Sequence, residues 1–340
     1  MRTISWREES GGFVRLLDQT KLPQIAEEID IKTHQELIAA IKSLAVRGAP
    51  ALGVAGALGV ALVVKNSEKE GWSVSARDSA IADLRSARPT AVNLAWGVDQ
   101  ALQVIGNGST AVLARALEIA DADAKANREM GIKGGDFLSK LLSHKSKSNQ
   151  MRLLTHCNTG ALATTEWGTA LGVIRDLYER GLVSEVFADE TRPLLQGSRL
   201  TAWELSQLNI PYRILPDGAA ASAIFSGLID AVLIGADRIA KNGDTANKIG
   251  SLSVAVAAAA KNVPFLVVAP ESTIDRTLQT GAEIEIEFRS DSEVTQIYGK
   301  EIAPTGAKSY NPAFDVTPAQ YITAIITEKA VYQPMSGEML

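Results

Sequence analysis

The chain has 340 residues, of which 46% are hydrophobic, so it is long enough for two compact units with cores of their own. Its net charge of −5 argues against a general nucleic-acid-binding protein, and its single cysteine excludes an intrachain disulfide and favours a reducing compartment. The N-terminus lacks the apolar core of a signal peptide, and the longest uncharged run, residues 48–64, is shorter than the roughly 20 residues of a membrane span. We therefore expect a soluble, cytoplasmic protein that binds neither nucleic acid nor a membrane.

Residues 1–130 predict a small β-hairpin followed by helices. Two short strands, residues 3–6 and 13–18, flank Ser10-Gly-Gly12, a sequence typical of a tight turn. Helical patterns then cover residues 33–46, 50–65, 73–87, 92–105 and 109–130. Gly53, Gly56 and Gly59 repeat inside the second helix, where close helix packing is a better interpretation than dinucleotide binding. The polar segment 131–150 is interpreted as a linker or hinge.

Residues 151–340 have a different pattern of predicted elements, in which strands alternate with helices. Strands are predicted at residues 152–157, 185–188, 212–215, 231–234, 265–269 and 283–288. Helices are predicted between most of them, at residues 165–180, 197–208, 222–228 and 248–261. Alternating strands and helices are typical of βαβ units, so this half is predicted to be a Rossmann-like domain with a largely parallel sheet. The fold class is therefore α/β, with ligands expected at the carboxyl ends of the strands.

Polar residues collect where four of these strands end. They are Cys157-Asn-Thr-Gly160, residues 189–204, Pro216-Asp-Gly218 and residues 235–250. Loops are polar by default, but four such clusters at one edge of one sheet indicate a single pocket. The G-x-G-x-x-G fingerprint that binds dinucleotides, the Walker A sequence and zinc-ligand spacing are all absent from the sequence.

Cys157 and Asp237 are the candidates for an acid–base pair in this pocket. A buried, unreactive cysteine is an equal alternative for Cys157 alone, and an ion pair with Arg238 or a helix cap is an alternative for Asp237. His156 precedes the cysteine, but neighbours on a strand point to opposite faces, so a Cys–His dyad is not expected.

Basic groups could bind an anion. Asn247 and Lys248 are predicted to open a helix, whose free amide groups and positive dipole end suit a phosphate. Arg47-Gly48-Ala49 also precedes a predicted helix, and Arg88 lies in a loop before Pro89. Solvated surface charges are the alternative for both arginines.

Four sequence blocks resemble the methylthioribose-1-phosphate isomerase family of the methionine salvage pathway. They are Arg47 to Gly53, Cys157 to Gly160, Asp189 to Glu204 and Gly235 to Gly250. Leu17-Asp-Gln-Thr-Lys-Leu-Pro23 and residues 264–270 extend the resemblance over nearly the whole chain.

This resemblance implies conversion of 5-methylthioribose 1-phosphate to 5-methylthioribulose 1-phosphate by a homodimer that needs neither a metal nor an organic cofactor. It makes Cys157 and Asp237 the catalytic residues. The substrate-contacting residues that it implies are Arg47, Gly48, Ala49, Arg88, Gln196, Asn247 and Lys248.

Two alternatives share the resemblance. A ribose 1,5-bisphosphate isomerase is the first, although the Trp-containing hairpin and residues 17–23 favour the methylthio substrate. The second is a non-enzymatic regulatory subunit of the exchange factor for eukaryotic initiation factor 2, which is disfavoured because such subunits do not keep the Cys–Asp pair. An NAD-dependent dehydrogenase is disfavoured by the missing glycine fingerprint. Within the isomerase interpretation, proton transfer and a direct hydride shift both remain open.

Overall fold

A computed structural model describes residues 2–89, 91–143, 150–337 and 339–340 of the chain. The chain forms two compact units: unit 1 is Met1–Glu129 with Gly160–Gly168, and unit 2 is Met130–Thr159 with Thr169–Leu340. The elements that begin in unit 1 are β1 (Ile4–Arg7), β2 (Phe13–Leu17), β3 (Glu28–Ile31), α1 (His34–Lys42), α2 (Ala49–Glu70), α3 (Val74–Arg85), α4 (Val92–Leu102) and α5 (Gly108–Leu142).

The predicted hairpin is present and belongs to a three-stranded antiparallel sheet, β1-β2-β3. The third strand was not predicted, because its alternation of charged and apolar residues covers only four positions. Helix α1 begins with a capping box in which the Thr33 hydroxyl accepts from the Glu36 amide and the Glu36 side chain accepts from the Thr33 amide.

Helix α2 is the centre of the unit 1 core. By length and composition it could cross a membrane, but 78% of its apolar window is buried inside the protein, as in the core helix of a soluble protein. Its glycines allow close packing, as predicted: a Cβ at Gly56 would lie 2.5 Å from the Leu94 carbonyl oxygen, and one at Gly97 would overlap the backbone of Gly53. Helices α2 and α4 can therefore approach backbone to backbone.

Helix α5 continues to Leu142, beyond the predicted end at residue 130. Gly134 and Gly135, interpreted as part of a hinge, lie within this helix. A Cβ at Gly134 would come within 2.6 Å of the Val173 side chain, so this glycine allows α5 to pack closely against the segment that contains Val173. The proposed linker, residues 131–150, is thus helical in its first part, and residues 144–149 lie outside the described residues.

Unit 2 carries the remaining elements. In chain order they are β4 (Met151–Thr155), α6 (Ala170–Glu179), β5 (Val183–Asp189), α7 (Ala202–Gln207), β6 (Tyr212–Leu215), α8 (Ala219–Phe225), β7 (Ala231–Ile234), β8 (Arg238–Ala240), β9 (Thr245–Lys248), α9 (Ser251–Ala260), β10 (Phe265–Val268), β11 (Ile274–Asp275), α10 (Ser292–Thr295), β12 (Gln296–Ile297), β13 (Lys300–Glu301), β14 (Phe314–Thr317), β15 (Ala324–Ile326) and β16 (Val331–Tyr332).

The main sheet has the order β16-β15-β10-β7-β4-β5-β6, and every neighbouring pair is parallel except β15 with β16. Successive residues of a strand face opposite cores: Leu153 packs with α6 and α7, and Leu154 packs with α8 and α9. The predicted α/β class and Rossmann-like sheet are confirmed. The chain leaves β4 in one direction towards β5 and β6 and returns to β7 on its other side, so the topological switch point lies between β4 and β7.

Two element predictions in this half are wrong. Residues 283–288 alternate like a strand, yet the structure places a short 3-10 turn at Gly281–Glu283 and gives the sixth parallel position to β15. The helix predicted from residue 248 begins at Ser251, because residues Thr245–Lys248 form β9. Strand β9 pairs with β8 and β14 in a second sheet of order β11-β8-β9-β14.

Candidate functional site

Cys157 lies just beyond the carboxyl end of β4 and is 6% exposed. Its backbone adopts a left-handed conformation, with φ of +64°. Its amide donates to the Thr191 hydroxyl at 2.9 Å, and its carbonyl accepts from the Thr201 hydroxyl at 2.6 Å. Both threonines come from the segment after β5, so the neighbouring strand end holds Cys157 through its amide and its carbonyl.

Asp237 follows β7, the strand that pairs with β4 across the switch point. Its amide donates to the Ala246 carbonyl at 2.9 Å, which places it beside Asn247. A Cβ at Gly235 would lie 3.0 Å from the Thr159 side chain, so the segments that follow β4 and β7 are in contact. The two predicted catalytic residues therefore sit on either side of the switch point, where open α/β sheets bind their ligands.

Asn247 and Lys248 are in the same region, but they do not open a helix as predicted. Both are buried in β9, and Gly250, with φ of +107°, separates them from α9. The Asn247 amide group donates to the Ser251 hydroxyl at 2.8 Å, and the Lys248 ammonium lies 4.3 Å from the centre of the Phe314 ring. Asn247 and Lys248 could therefore bind an anion through their side chains, and not through the free amides of a helix N-terminus.

Gln196 is 2% exposed and immediately precedes a π-helical turn, Gly197–Thr201. Its Oε1 atom is buried and has no hydrogen-bond partner among the described residues, which leaves an acceptor for a ligand hydroxyl. The turn can approach β5 closely because Gly197 has no side chain. A Cβ at this position would overlap the Asp189 carbonyl oxygen.

The other predicted substrate contacts, Arg47, Gly48, Ala49 and Arg88, lie in unit 1. Helix α2 begins at Ala49, one residue before the predicted start at residue 50, with Gly48 as its N-cap at φ of +95°. A side chain at Gly48 would overlap the backbone of Ala163, a second reason for glycine at this position. Arg47 and Arg88 are half-buried, and the Arg88 carbonyl accepts from the Ala91 amide at 3.0 Å in the turn between α3 and α4.

The sequence did not reveal a buried pair formed by His156 and Asp189. His156 Nδ1 lies 3.0 Å from Asp189 Oδ2, and the two side chains are 1% and 0% exposed. His156 Nε2 lies 2.9 Å from the Ile249 carbonyl oxygen, which can only accept, so Nε2 carries a proton. Both residues stand next to strand ends that the sequence singled out, but no pattern in it indicates that they meet.

The pair keeps one further proton between Nδ1 and Oδ2. Burial lowers the pKa of His156, but the hydrogen bond and charge of Asp189, with smaller contributions from Cys157 and Asp217, outweigh it and raise the pKa to about 9. Burial also raises the pKa of Asp189, against the opposing effect of His156. Both shifts oppose loss of the proton that the two residues share.

Asp217 completes this cluster. Its carboxylate accepts from the amides of Thr191 and Arg192 at 2.8 and 2.7 Å. One ligand-type atom from each of His156, Asp189 and Asp217 lies within 4.8 Å of the others, a spacing that also suits a metal ion. These hydrogen bonds account for the grouping without one. The cluster instead orders the segment that holds Cys157 through Thr191.

The fold and this arrangement define a Rossmann-like protein with a polar site at the switch point of its parallel sheet. The model of the Initiation factor 2 subunit family matches residues 45–334, and the chain belongs to this family. Within it, the chain is 47% identical to a methylthioribose-1-phosphate isomerase of Acetivibrio thermocellus over 97% of both chains. The predicted family resemblance is confirmed.

Other relatives extend this finding. The chain is 47% identical to a probable bifunctional methylthioribose-1-phosphate isomerase/methylthioribulose-1-phosphate dehydratase of Nocardia farcinica over 97% of its own length and 58% of that protein's, so it spans little more than half of that relative. A solved 5-methylthioribose 1-phosphate isomerase from Pyrococcus horikoshii superposes with a TM-score of 0.88 at 39% identity, covering 98% of this chain and 92% of that one. A structure from A. fulgidus described as translation initiation factor eIF-2B, subunit delta, superposes with a TM-score of 0.84 at 41% identity, covering 98% and 96%.

Proposed function

We propose that this protein is an aldose–ketose isomerase that converts 5-methylthioribose 1-phosphate to 5-methylthioribulose 1-phosphate. The observation that carries the proposal is the placement of Cys157 and Asp237 at the ends of β4 and β7, on either side of the switch point. Relatives that bear the name of this activity match the chain over nearly its full length.

The substrate explains why two such groups are needed. Its carbon 1 carries the phosphate and is locked in a ring acetal, so enolisation cannot begin until the bond between carbon 1 and the ring oxygen breaks. A general acid must protonate the departing ring oxygen, and a base must remove the proton from carbon 2. The resulting enol phosphate becomes the ketone when carbon 1 gains a proton and the hydroxyl on carbon 2 loses one.

We assign the general acid to Asp237 and the base to the thiolate of Cys157. Asp237 is half-buried beside Asn247, and Cys157 is held in place through its backbone amide and carbonyl. Every proton in the scheme moves between substrate and these side chains, so the scheme requires neither a metal nor an organic cofactor. The alternative is a hydride shift from carbon 2 to carbon 1, in which the same pair only polarises the oxygens.

Lys248 is assigned to the phosphate. Replacing it with alanine removes a buried cation, and we expect KM for the sugar phosphate to rise about 10- to 100-fold, corresponding to the roughly 1.5–3 kcal/mol of a charge-assisted hydrogen bond. Steady-state kinetics would measure this. Lys241→Ala is the matched control, because Lys241 follows β8 at the far end of the same hairpin and should leave KM unchanged. An unaltered KM in Lys248→Ala would remove Lys248 from the phosphate site.

The proposal is tested by incubating the purified protein, after dialysis against EDTA, with 5-methylthioribose 1-phosphate and following formation of the ketose by NMR. We expect turnover that does not depend on added metal. Ribose 1,5-bisphosphate is the parallel substrate, and faster turnover of it would establish that alternative. No conversion of either sugar phosphate would instead favour the regulatory-subunit alternative, in line with the description of the A. fulgidus structure as a translation initiation factor subunit.

A further inference from the structure

His156 contacts three parts of the site without belonging to the proposed acid–base pair. It lies between the end of β4 and Cys157. Its Nδ1 atom reaches Asp189 at the end of β5, and its Nε2 atom reaches the carbonyl of Ile249, the residue after Lys248. One ring therefore joins the ends of β4, β5 and β9.

Asp189 holds the same segment a second time through its backbone. Its carbonyl accepts from the Thr191 hydroxyl at 3.0 Å, and that hydroxyl in turn accepts from the Cys157 amide at 2.9 Å. The carboxylate of Asp189 thus positions His156, while its carbonyl positions Cys157. Without the contact between the His156 ring and the Asp189 carboxylate, Asp189 would hold Cys157 only through its carbonyl and the Thr191 hydroxyl.

The protein makes room for the ring on the β9 side. A Cβ at Gly250 would lie 2.8 Å from His156 Cε1, and Gly250 has φ of +107°. The Gly250 amide donates to Asp315 Oδ2 at 2.8 Å, which fixes the turn from the opposite side. The turn after Lys248 is therefore shaped around the imidazole.

We propose that His156 is a positioning residue for the isomerase site, one that fixes the segment of Cys157 against the turn that follows Asn247 and Lys248. This inference rests on the proposed function. The ring donates both of its N–H groups, to the Asp189 carboxylate and to the Ile249 carbonyl, and needs its second proton to do so. Deprotonation at Nδ1 would remove one of the two contacts and place a lone pair against a carboxylate.

Four acidic groups interact electrostatically with the ring. Asp189 is in direct contact, Cys157 is the next residue, Asp217 comes from the segment after β6, and Asp315 comes from β14. All four favour the charged ring. The pKa of His156 is raised from its ordinary value of 6.5 to about 9, so the contribution of the charged ring is complete below about pH 6.5 and is lost as pH rises through about 9.

The test is the kinetics of His156→Gln between pH 6 and 10. Glutamine can still donate to the Ile249 carbonyl but cannot take the shared proton. We expect kcat to fall about 10²-fold, the loss typical of a reacting group displaced by about 1 Å, with KM within about threefold of the wild-type value. The wild-type kcat should decline as pH rises through about 9, and this decline should be absent from the variant.

The matched control is Thr155→Val. Thr155 is the buried last residue of β4, directly before His156, and its hydroxyl has no hydrogen-bond partner within the part of the chain that the structure describes. It should keep the wild-type kcat and pH profile. Asp189→Asn is the second variant: it preserves the backbone bond to Thr191, and we expect it to lower kcat as His156→Gln does.

A kcat within twofold of wild type in both variants, or an unchanged alkaline decline in both, would overturn the inference. If neither variant folds, NMR of the wild-type protein with ¹⁵N-labelled histidine decides, because the chain has only three histidines. His156 should stay doubly protonated to about pH 9, and a ring that titrates near 6.5 would exclude the role. An inactive wild-type protein would instead refute the proposed function itself.

Discussion

Replacing Cys157 with serine should reduce turnover by about 10²- to 10⁴-fold, the range for a lost acid–base group, while the protein remains folded. The structure gives the reason for both halves of this result. The hydrogen bonds of Cys157 with Thr191 and Thr201 are made by its backbone amide and carbonyl, and a serine can adopt the same backbone conformation. A neutral hydroxyl is a much weaker base than a thiolate, so the serine variant should lose proton abstraction from the substrate. Its fold should be preserved.

Steady-state kinetics with 5-methylthioribose 1-phosphate measure the loss, and circular dichroism with a thermal melt establishes the fold. Near-full activity in the serine variant would make the thiol a structural residue, the alternative that the sequence alone left open. A melting temperature far below that of wild type would show that the sulfur contributes to packing as well.

Asp237→Asn should produce a loss of the same size. The amide preserves the shape of the side chain, and the backbone hydrogen bond from Asp237 to Ala246 is untouched, but the side chain can no longer deliver a proton to the ring oxygen. We expect kcat to fall about 10²- to 10⁴-fold with a smaller change in KM, because the missing interaction belongs to the transition state.

Asp230→Asn is the matched control for this variant. Asp230 directly precedes β7, whereas Asp237 follows it, so the two carboxylates lie at opposite ends of one strand. The Asp230 carboxylate accepts from the Arg152 amide at 2.7 Å and forms a partly exposed ion pair with the Arg152 guanidinium at 3.1 Å. The asparagine oxygen can still accept from the amide, so the loss of the ion pair should cost about 1 kcal/mol of stability and leave kcat unchanged. If Asp237→Asn proved as active as this control, the general acid would have to be sought elsewhere.

The sequence predicted the central strands of the sheet well because they are buried on both faces. Residues 231–234 were predicted with the bounds that β7 has, since a short, fully buried apolar run between polar turns has few other interpretations. Residues 212–215 were also predicted with the observed bounds, although β6 lies at the edge of the sheet and exposes Arg213 and Ile214. The alternating segment 283–288 misled for the converse reason: period-two alternation describes any half-buried extended chain, and it does not say whether a partner strand is present.

The sequence predicted which residues lie at the strand ends, but it did not predict which of their side chains contact one another. Cys157 and Asp237 were found because polar residues at strand ends share an edge in a parallel sheet, and the structure places them across the switch point. The pairing of His156 with Asp189 was missed, because it depends on the direction of two side chains that lie 33 positions apart. Lys248 was placed on the wrong element, because its own partner in the second sheet is Phe314 of β14, more than 60 residues later in the chain.

Unit 1 is completed by a segment that the chain supplies only after it has formed the first strand of unit 2. Gln19 donates to the Leu162 carbonyl at 2.7 Å, the Thr3 hydroxyl donates to the Thr164 carbonyl at 2.8 Å, and Asp123 accepts from the Thr165 amide at 2.9 Å. These bonds tie Gly160–Gly168, the direct continuation of Cys157-Asn-Thr, into the N-terminal core. A gene fragment that stops at residue 129 would omit this segment. The two units are therefore not separable modules: recombination at that boundary would leave the N-terminal half without part of its own interior, so the two halves are expected to be inherited together.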